Sequence, residues 1–192
     1  MIEKIIKTFL SIPVPDEVKT KKNMLYTTLE NSEGSINWVK NINLHLTIKY
    51  LGDTPESSVE TIIEHLGKII SAIKPFNLVI KDTGCFPIPD RPRVLWLGID
   101  GSSDLLHSFV KKIETELEII GFPKKETAYS PHITLARIKY PQKHTPDITP
   151  FLKSSYDPID FPVDRVQFHS SKLLQSGAVY TILKSFPLGE NL

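Results

Sequence analysis

Cysteine is nearly absent: Cys85 stands alone in 192 residues, so no internal disulfide can form and the composition fits a reducing compartment. Also missing is any apolar run of 18 residues, and the stretch from Met1 to Pro15 is interrupted by Glu3, Lys4 and Lys7, leaving no signal-peptide core. Charge of one sign is lacking too. With 23 Lys and Arg against 22 Asp and Glu the net charge is +1, which argues against a broad, nonspecific nucleic-acid surface and leaves only local contacts. Neither H-E-x-x-H nor paired cysteines offer a metal its usual spacing. The expectation is a soluble, cytoplasmic monomer with no cofactor, no metal and no membrane partner.

What is present is an ordinary globular composition, 40% hydrophobic and 23% charged, long enough to bury a substantial core. Residues 1–192 read as one domain of two interleaved lobes. Ile5 to Ile12 alternates as a strand, and a weaker helical pattern carries Val18, Leu25 and Leu29. Asn43 to Leu51 is a second strand, with Gly52-Asp53 as its expected stop, Thr54 as an N-cap and Pro55 at the first helical position. Val59, Ile62, Ile63, Leu66, Ile69, Ile70 and Ile73 then fall on one helical stripe. Phe76 to Ile80 and Arg93 to Ile99 read as antiparallel strands around the Pro87 to Pro92 turn. A second amphipathic helix buries Leu105, Leu106, Phe109, Val110, Ile113, Leu117 and Ile120, and ends at Gly121 and Pro123. A strand follows Pro131, Pro141 to Pro150 is a polar loop, and Val163 to Phe168 and Val179 to Phe186 are the last strands. Helices interleaved with hairpin-joined strands predict an α+β fold of antiparallel sheets with outer helices.

One phrase occurs twice. His45-Leu46-Thr47-Ile48 and His132-Ile133-Thr134-Leu135 both read H-x-T-x with aliphatic residues at each x. Six His and 14 Thr in this length give roughly 0.4 H-x-T matches by shuffling, so two with apolar partners are not accidental. Because side chains alternate faces along a strand, each phrase buries its aliphatic pair and presents an imidazole beside a hydroxyl. Both phrases follow a helix-bearing unit, which suggests two lobes about a pseudo-twofold axis with His45 opposite His132. Arg137, five residues past His132, falls on the opposite face of a regular strand; only a bulge or the strand's end can return it to the motif face.

Three segments in order, Asn43 to Gly52, Arg91 to Gly98 and Ser130 to Arg137, together with Gly177 to Leu183, resemble the 2H phosphoesterase superfamily. Within it the chain is most similar to the RNA 2',3'-cyclic phosphodiesterases, also called 2'-5' RNA ligases. Tyr50 stands where that family often has Phe, and Lys143 to Pro150 matches little of it. The resemblance implies a bilobal fold with the active-site cleft between the lobes, and substrates that are RNA ends or nucleotides carrying a 2',3'-cyclic phosphate. It further implies His45 as proton donor to the departing 3' oxygen, His132 as proton acceptor from water, and Arg137 as a phosphate contact. Thr47 and Thr134 are expected to donate to the nonbridging phosphate oxygens. Hydrolysis to a 2'-phosphomonoester, and 2'-5' RNA ligation, follow from the same groups. Alternatives are action on small cyclic nucleotides or ADP-ribose cyclic phosphate, and a noncatalytic nucleotide- or RNA-binding module.

Among the remaining histidines, His107 lies on the polar side of its helix and His65 borders an apolar stripe, whereas His144, in a polar loop, and His169, following a strand, could each approach a substrate. Arg93 reads as structural and Cys85 as a small apolar filler. Trp38, Tyr50, Phe86, Trp96 and Tyr129 are aromatic candidates for base stacking, without a means of choosing among them.

Overall fold

The computed structural model describes residues 3–124, 126–175 and 177–189. The chain runs β1 (Ile5–Pro13), α1 (Glu17–Thr27), β2 (Asn37–Trp38), β3 (His45–Pro55), α2 (Val59–Ile70), β4 (Phe76–Phe86) and β5 (Val94–Gly101). It continues through α3 (Ser103–Ile119), β6 (His132–Arg137), α4 (Thr149–Leu152), β7 (Ile159–Val163), β8 (Arg165–Leu174) and β9 (Gly177–Pro187). All strand pairs are antiparallel, in the order β7-β4-β5-β6-β3-β1-β8-β9, with β2 on the free stretch of β6.

That order is symmetric about its middle. The two motif strands, β6 and β3, are neighbours at the centre, and each is flanked by the strand that precedes it through a helix: β5 through α3, β1 through α1. Two four-stranded halves result, and among the described residues their register is set by Leu46 opposite Ile133. The predicted α+β bilobal arrangement stands, with the two sheets continuous through this seam. A single residue, Asp164, separates β7 on one edge from β8 in the opposite half. Val163 and Arg165 can lie no more than about 7 Å apart, so the sheet must curl until its distant parts meet.

The helices cover the aliphatic side. Leu46 and Ile48 of β3 and Leu10 and Ile12 of β1 share one buried cluster with Ile62, Leu66 and Ile70 of α2 and with Leu106, Phe109, Val110, Ile113 and Leu117 of α3. The stripe predicted for α3 is correct except at its start: Leu105 is exposed. Among the described residues no helix is long and apolar enough to cross a membrane.

Several boundaries differ from expectation; β4, for one, runs on past Ile80 to Phe86. Gly52-Asp53 does not stop β3; Gly52 takes φ +83° and forms a bulge, with Thr8 opposite Gly52 and Phe9 opposite Tyr50, and pairing with β1 continues to Pro55. Thr54 is therefore no N-cap. Its hydroxyl meets that of Thr8 at 2.7 Å in the interior, and α2 begins only at Val59. The expected strand Val163 to Phe168 is broken at Asp164 into β7 and β8, which belong to opposite halves. Pro162 sits inside β7 without penalty because β7 is an edge strand.

Candidate active site

Antiparallel register through Leu46 and Ile133 sets His45 across from Thr134 and Thr47 across from His132. The aliphatic pairs face the helices, leaving the four polar side chains on the other face. Each motif strand then carries a bulge at the same place. In β3, Thr47 lies opposite Ser11 and Lys49 opposite Leu10, so Ile48 is skipped; in β6, Thr134 lies opposite Trp96 and Ala136 opposite Leu95, so Leu135 is skipped. Two consecutive residues turn inward at each bulge: Ile48 and Lys49, Leu135 and Ala136, all buried. The residue after each bulge returns to the cleft face. These are Tyr50 and Arg137, pseudo-symmetric equivalents, and the re-aiming required of Arg137 is thereby accounted for.

His45, Thr47, Tyr50, Thr134 and Arg137 line one cavity of about 190 Å³, with Phe9, Asn43 and Tyr180 among its other walls. His132 shares the face of Thr134 on β6, and its charge acts on His45. Both imidazoles are held alike. Nδ1 of His45 donates to the Asn43 carbonyl at 2.7 Å, and Nδ1 of His132 donates to the Ser130 carbonyl at 2.8 Å. Because a carbonyl only accepts, Nδ1 must carry the hydrogen, which reserves Nε2 of each ring for proton transfer.

Burial pushes the pKa of His45 below 6.5; the Asn43 carbonyl opposes this, while the positive charges of Arg137 and His132 add to it. These surroundings favour neutral His45, and an anion between the rings would reverse that preference. Asn43 fixes more than the ring: its Nδ2 donates to the Ala178 carbonyl of β9 at 2.8 Å. Lys22, buried in α1, donates to the Val39 carbonyl and the Asn41 Oδ1 and so anchors the segment entering β3.

The loop entering β6 is tied across the seam. Tyr129 donates its hydroxyl to the Thr47 carbonyl at 2.9 Å, and Lys49 donates to the Pro123 carbonyl at 2.7 Å. These bonds connect the approach to His132 directly to the strand of His45. Tyr129→Phe removes one of them with little change of shape and leaves a carbonyl short of a partner; urea unfolding should show a loss of about 1–3 kcal/mol.

One neighbour, Tyr180, was not singled out in the sequence, and another, His169, was placed wrongly. Tyr180 packs edge-on against both His45 and Phe9, at 5.6 and 4.8 Å between centroids. Its one sequence signal is membership of the Gly177 to Leu183 segment. His169 does not follow a strand; it lies within β8, buried, stacked on Phe9 at 4.8 Å with Nε2 3.0 Å from Ser11 Oγ. Phe9 is thus sandwiched between the two imidazoles, with His45 at 5.0 Å.

Burial, aided by the charge of His45, pushes His169 down to about 4. A histidine whose pKa falls on folding stabilises the native state fully above about 6.5 and loses that contribution as pH falls toward its folded value. Acidification from pH 7 to 4 should cost on the order of 3 kcal/mol from this group. Denaturant titrations at the two pH values should show a smaller drop in His169→Phe.

The other candidates are elsewhere. His65 pairs with Glu116 at 2.8 Å, His144 with Glu33 at 3.1 Å, and exposed His107 reaches the Ser103 carbonyl at 2.7 Å. Of the five aromatic candidates, Tyr50 lines the cavity, Phe86 and Trp96 flank His132 at 5.1 and 6.5 Å, Trp38 packs on Tyr26, and Tyr129 is the tie just described. Arg93 lies over the Tyr140 ring at 5.7 Å.

One tautomer-fixed imidazole, two hydroxyls and a guanidinium around one cavity, with a second such imidazole on the same face of β6 as Thr134, are the equipment of phosphoester chemistry. The chain belongs to the 2'-5' RNA ligase superfamily, whose family model matches residues 24–173. It is 33% identical over 179 residues to the RNA 2',3'-cyclic phosphodiesterase of Thermotoga maritima, covering 93% of each chain. With the Aquifex aeolicus protein of the same name it shares 32% identity over 79% of this chain and 81% of that one. A crystal structure from Thermus thermophilus superposes with a TM-score of 0.71 at 26% identity, covering 96% of this chain and 98% of that one.

Proposed function

We propose that the chain is an RNA 2',3'-cyclic phosphodiesterase that converts cyclic phosphate ends to 2'-phosphomonoesters. The observation that carries this reading is the pair of imidazoles, each with Nδ1 committed to a backbone carbonyl, His45 in a cleft with both motif threonines and Arg137 and His132 on the face of β6 that carries Thr134. His132 Nε2 takes a proton from water as the water oxygen bonds to phosphorus. The bond from phosphorus to the 3' oxygen breaks, and Nε2–H of His45 delivers a proton to that oxygen, leaving a 2'-phosphate beside a 3'-hydroxyl. Each positioned proton transfer supplies about 10² to 10⁴ in rate. Thr47, Thr134 and Arg137 hold the nonbridging oxygens as their charge grows.

Neither proton transfer calls for a metal. Run in the same direction with a 5'-hydroxyl in place of water, the same steps form a 2'-5' linkage and free the 3'-hydroxyl. The activity belongs to a cytoplasmic monomer, a single domain of two interleaved lobes, acting on RNA ends. Incubating the protein with an oligoribonucleotide ending in a 2',3'-cyclic phosphate, in EDTA, should yield the 2'-phosphate. Formation of the 3'-phosphate would mean that the 2' oxygen leaves instead, and binding without turnover would leave a nucleotide-binding module.

A further inference from the structure

We propose that a depression beside His45, separate from the phosphate cleft, seats the nucleobase of the terminal nucleotide. The inference rests on the hydrolytic reading above and on His45 as the group that protonates the 3' oxygen. At about 190 Å³ the cleft is small against the roughly 300–1,000 Å³ of ordinary ligand sites, enough for a phosphate and the edge of a sugar. Next to it lies a depression of about 320 Å³ that shares His45, Asn43 and Tyr180 with the cleft. The departing oxygen is part of the ribose, so His45 can reach it only if the sugar lies on the lobe of β1, β8 and β9. The base hangs from that same sugar.

The lining suits an uncharged heterocycle. Ser11, Gln167 and His169 bring a hydroxyl, an amide and an imidazole, while Ile42 and Ile182 form an exposed apolar rim. Lys19 also borders it and is neutralised by Asp16. His169 is the informative member: Nε2 meets Ser11 Oγ, whereas Nδ1 is buried without a hydrogen-bond partner among the described residues. Such an atom costs free energy, and a ligand could meet it only if the His169 ring turned to bring Nδ1 to the depression. Burial keeps this ring uncharged at neutral pH, which again favours a neutral ligand. The wall across the cleft differs. Trp96 there lies flat on Gly84, where an added Cβ would collide with the indole, and it belongs with Phe86 to the side from which water attacks.

The test compares kcat/KM for adenosine 2',3'-cyclic phosphate with that for methyl riboside 2',3'-cyclic phosphate, which lacks the base. The native protein should favour the nucleotide by about tenfold or more. In Gln167→Leu and in His169→Phe that preference should fall about five- to tenfold, the loss concentrated on the base-bearing substrate. Gln167→Leu guards against a folding defect in the more deeply buried variant. A native preference near unity, or one that survives both variants and collapses in Phe86→Leu, overturns the assignment. Turnover of neither substrate refutes the hydrolytic reading itself and takes the inference with it.

Discussion

Alanine at His45 or at His132 should lower turnover of a 2',3'-cyclic phosphate by about 10² to 10⁴-fold, with both proteins still folded. The pH profiles should separate the two roles. In the proposed mechanism His45 acts protonated, so native kcat/KM should fall as pH rises through the His45 pKa, which burial places on the acid side of 6.5. That basic limb should vanish in His45→Ala, and the acidic limb should vanish in His132→Ala. In kcat, which reports the bound complex, the basic limb should move to higher pH because the substrate anion stabilises imidazolium. Loss of the opposite limbs would exchange donor and acceptor.

Thr47→Val and Thr134→Val should each reduce kcat by about 10² to 10³-fold while raising KM much less. Valine keeps the branched shape that the strand favours and deletes only the hydroxyl. In the proposed mechanism the hydroxyls matter most when charge accumulates on the nonbridging oxygens, so their absence should be felt at the barrier more than in binding. A change confined to KM would mean that the threonines hold the ground state only. Because the two lie across the twofold seam, the double variant should be less than multiplicative if they act on one phosphate.

Much of this site was legible because strands alternate. A doubled H-x-T-x phrase fixes which face each imidazole shares with a hydroxyl, and the odd spacing of Arg137 demanded a bulge that β6 contains. Its twin in β3 was not foreseen, since nothing in Ile48-Lys49-Tyr50 announces that Lys49 turns inward to reach the Pro123 carbonyl. Long-range pairing overruled local signals elsewhere. Gly52-Asp53 reads as a turn, yet β1 lies beside it and keeps the strand going. Pro162 reads as a break and proves harmless on an edge, while the true break, Asp164, carries no signature. His169 and Tyr180 reach His45 only through the register of β8 and β9, information that no local pattern holds.

The most direct measurement follows the imidazole resonances of His45 and His132 by NMR titration, with and without a nucleoside 2'-monophosphate. Both pKa values are expected to rise together on binding, because the proposed mechanism sets one phosphate anion between the two rings. A rise at one histidine alone, or at neither, would contradict a shared phosphate between the two motif strands.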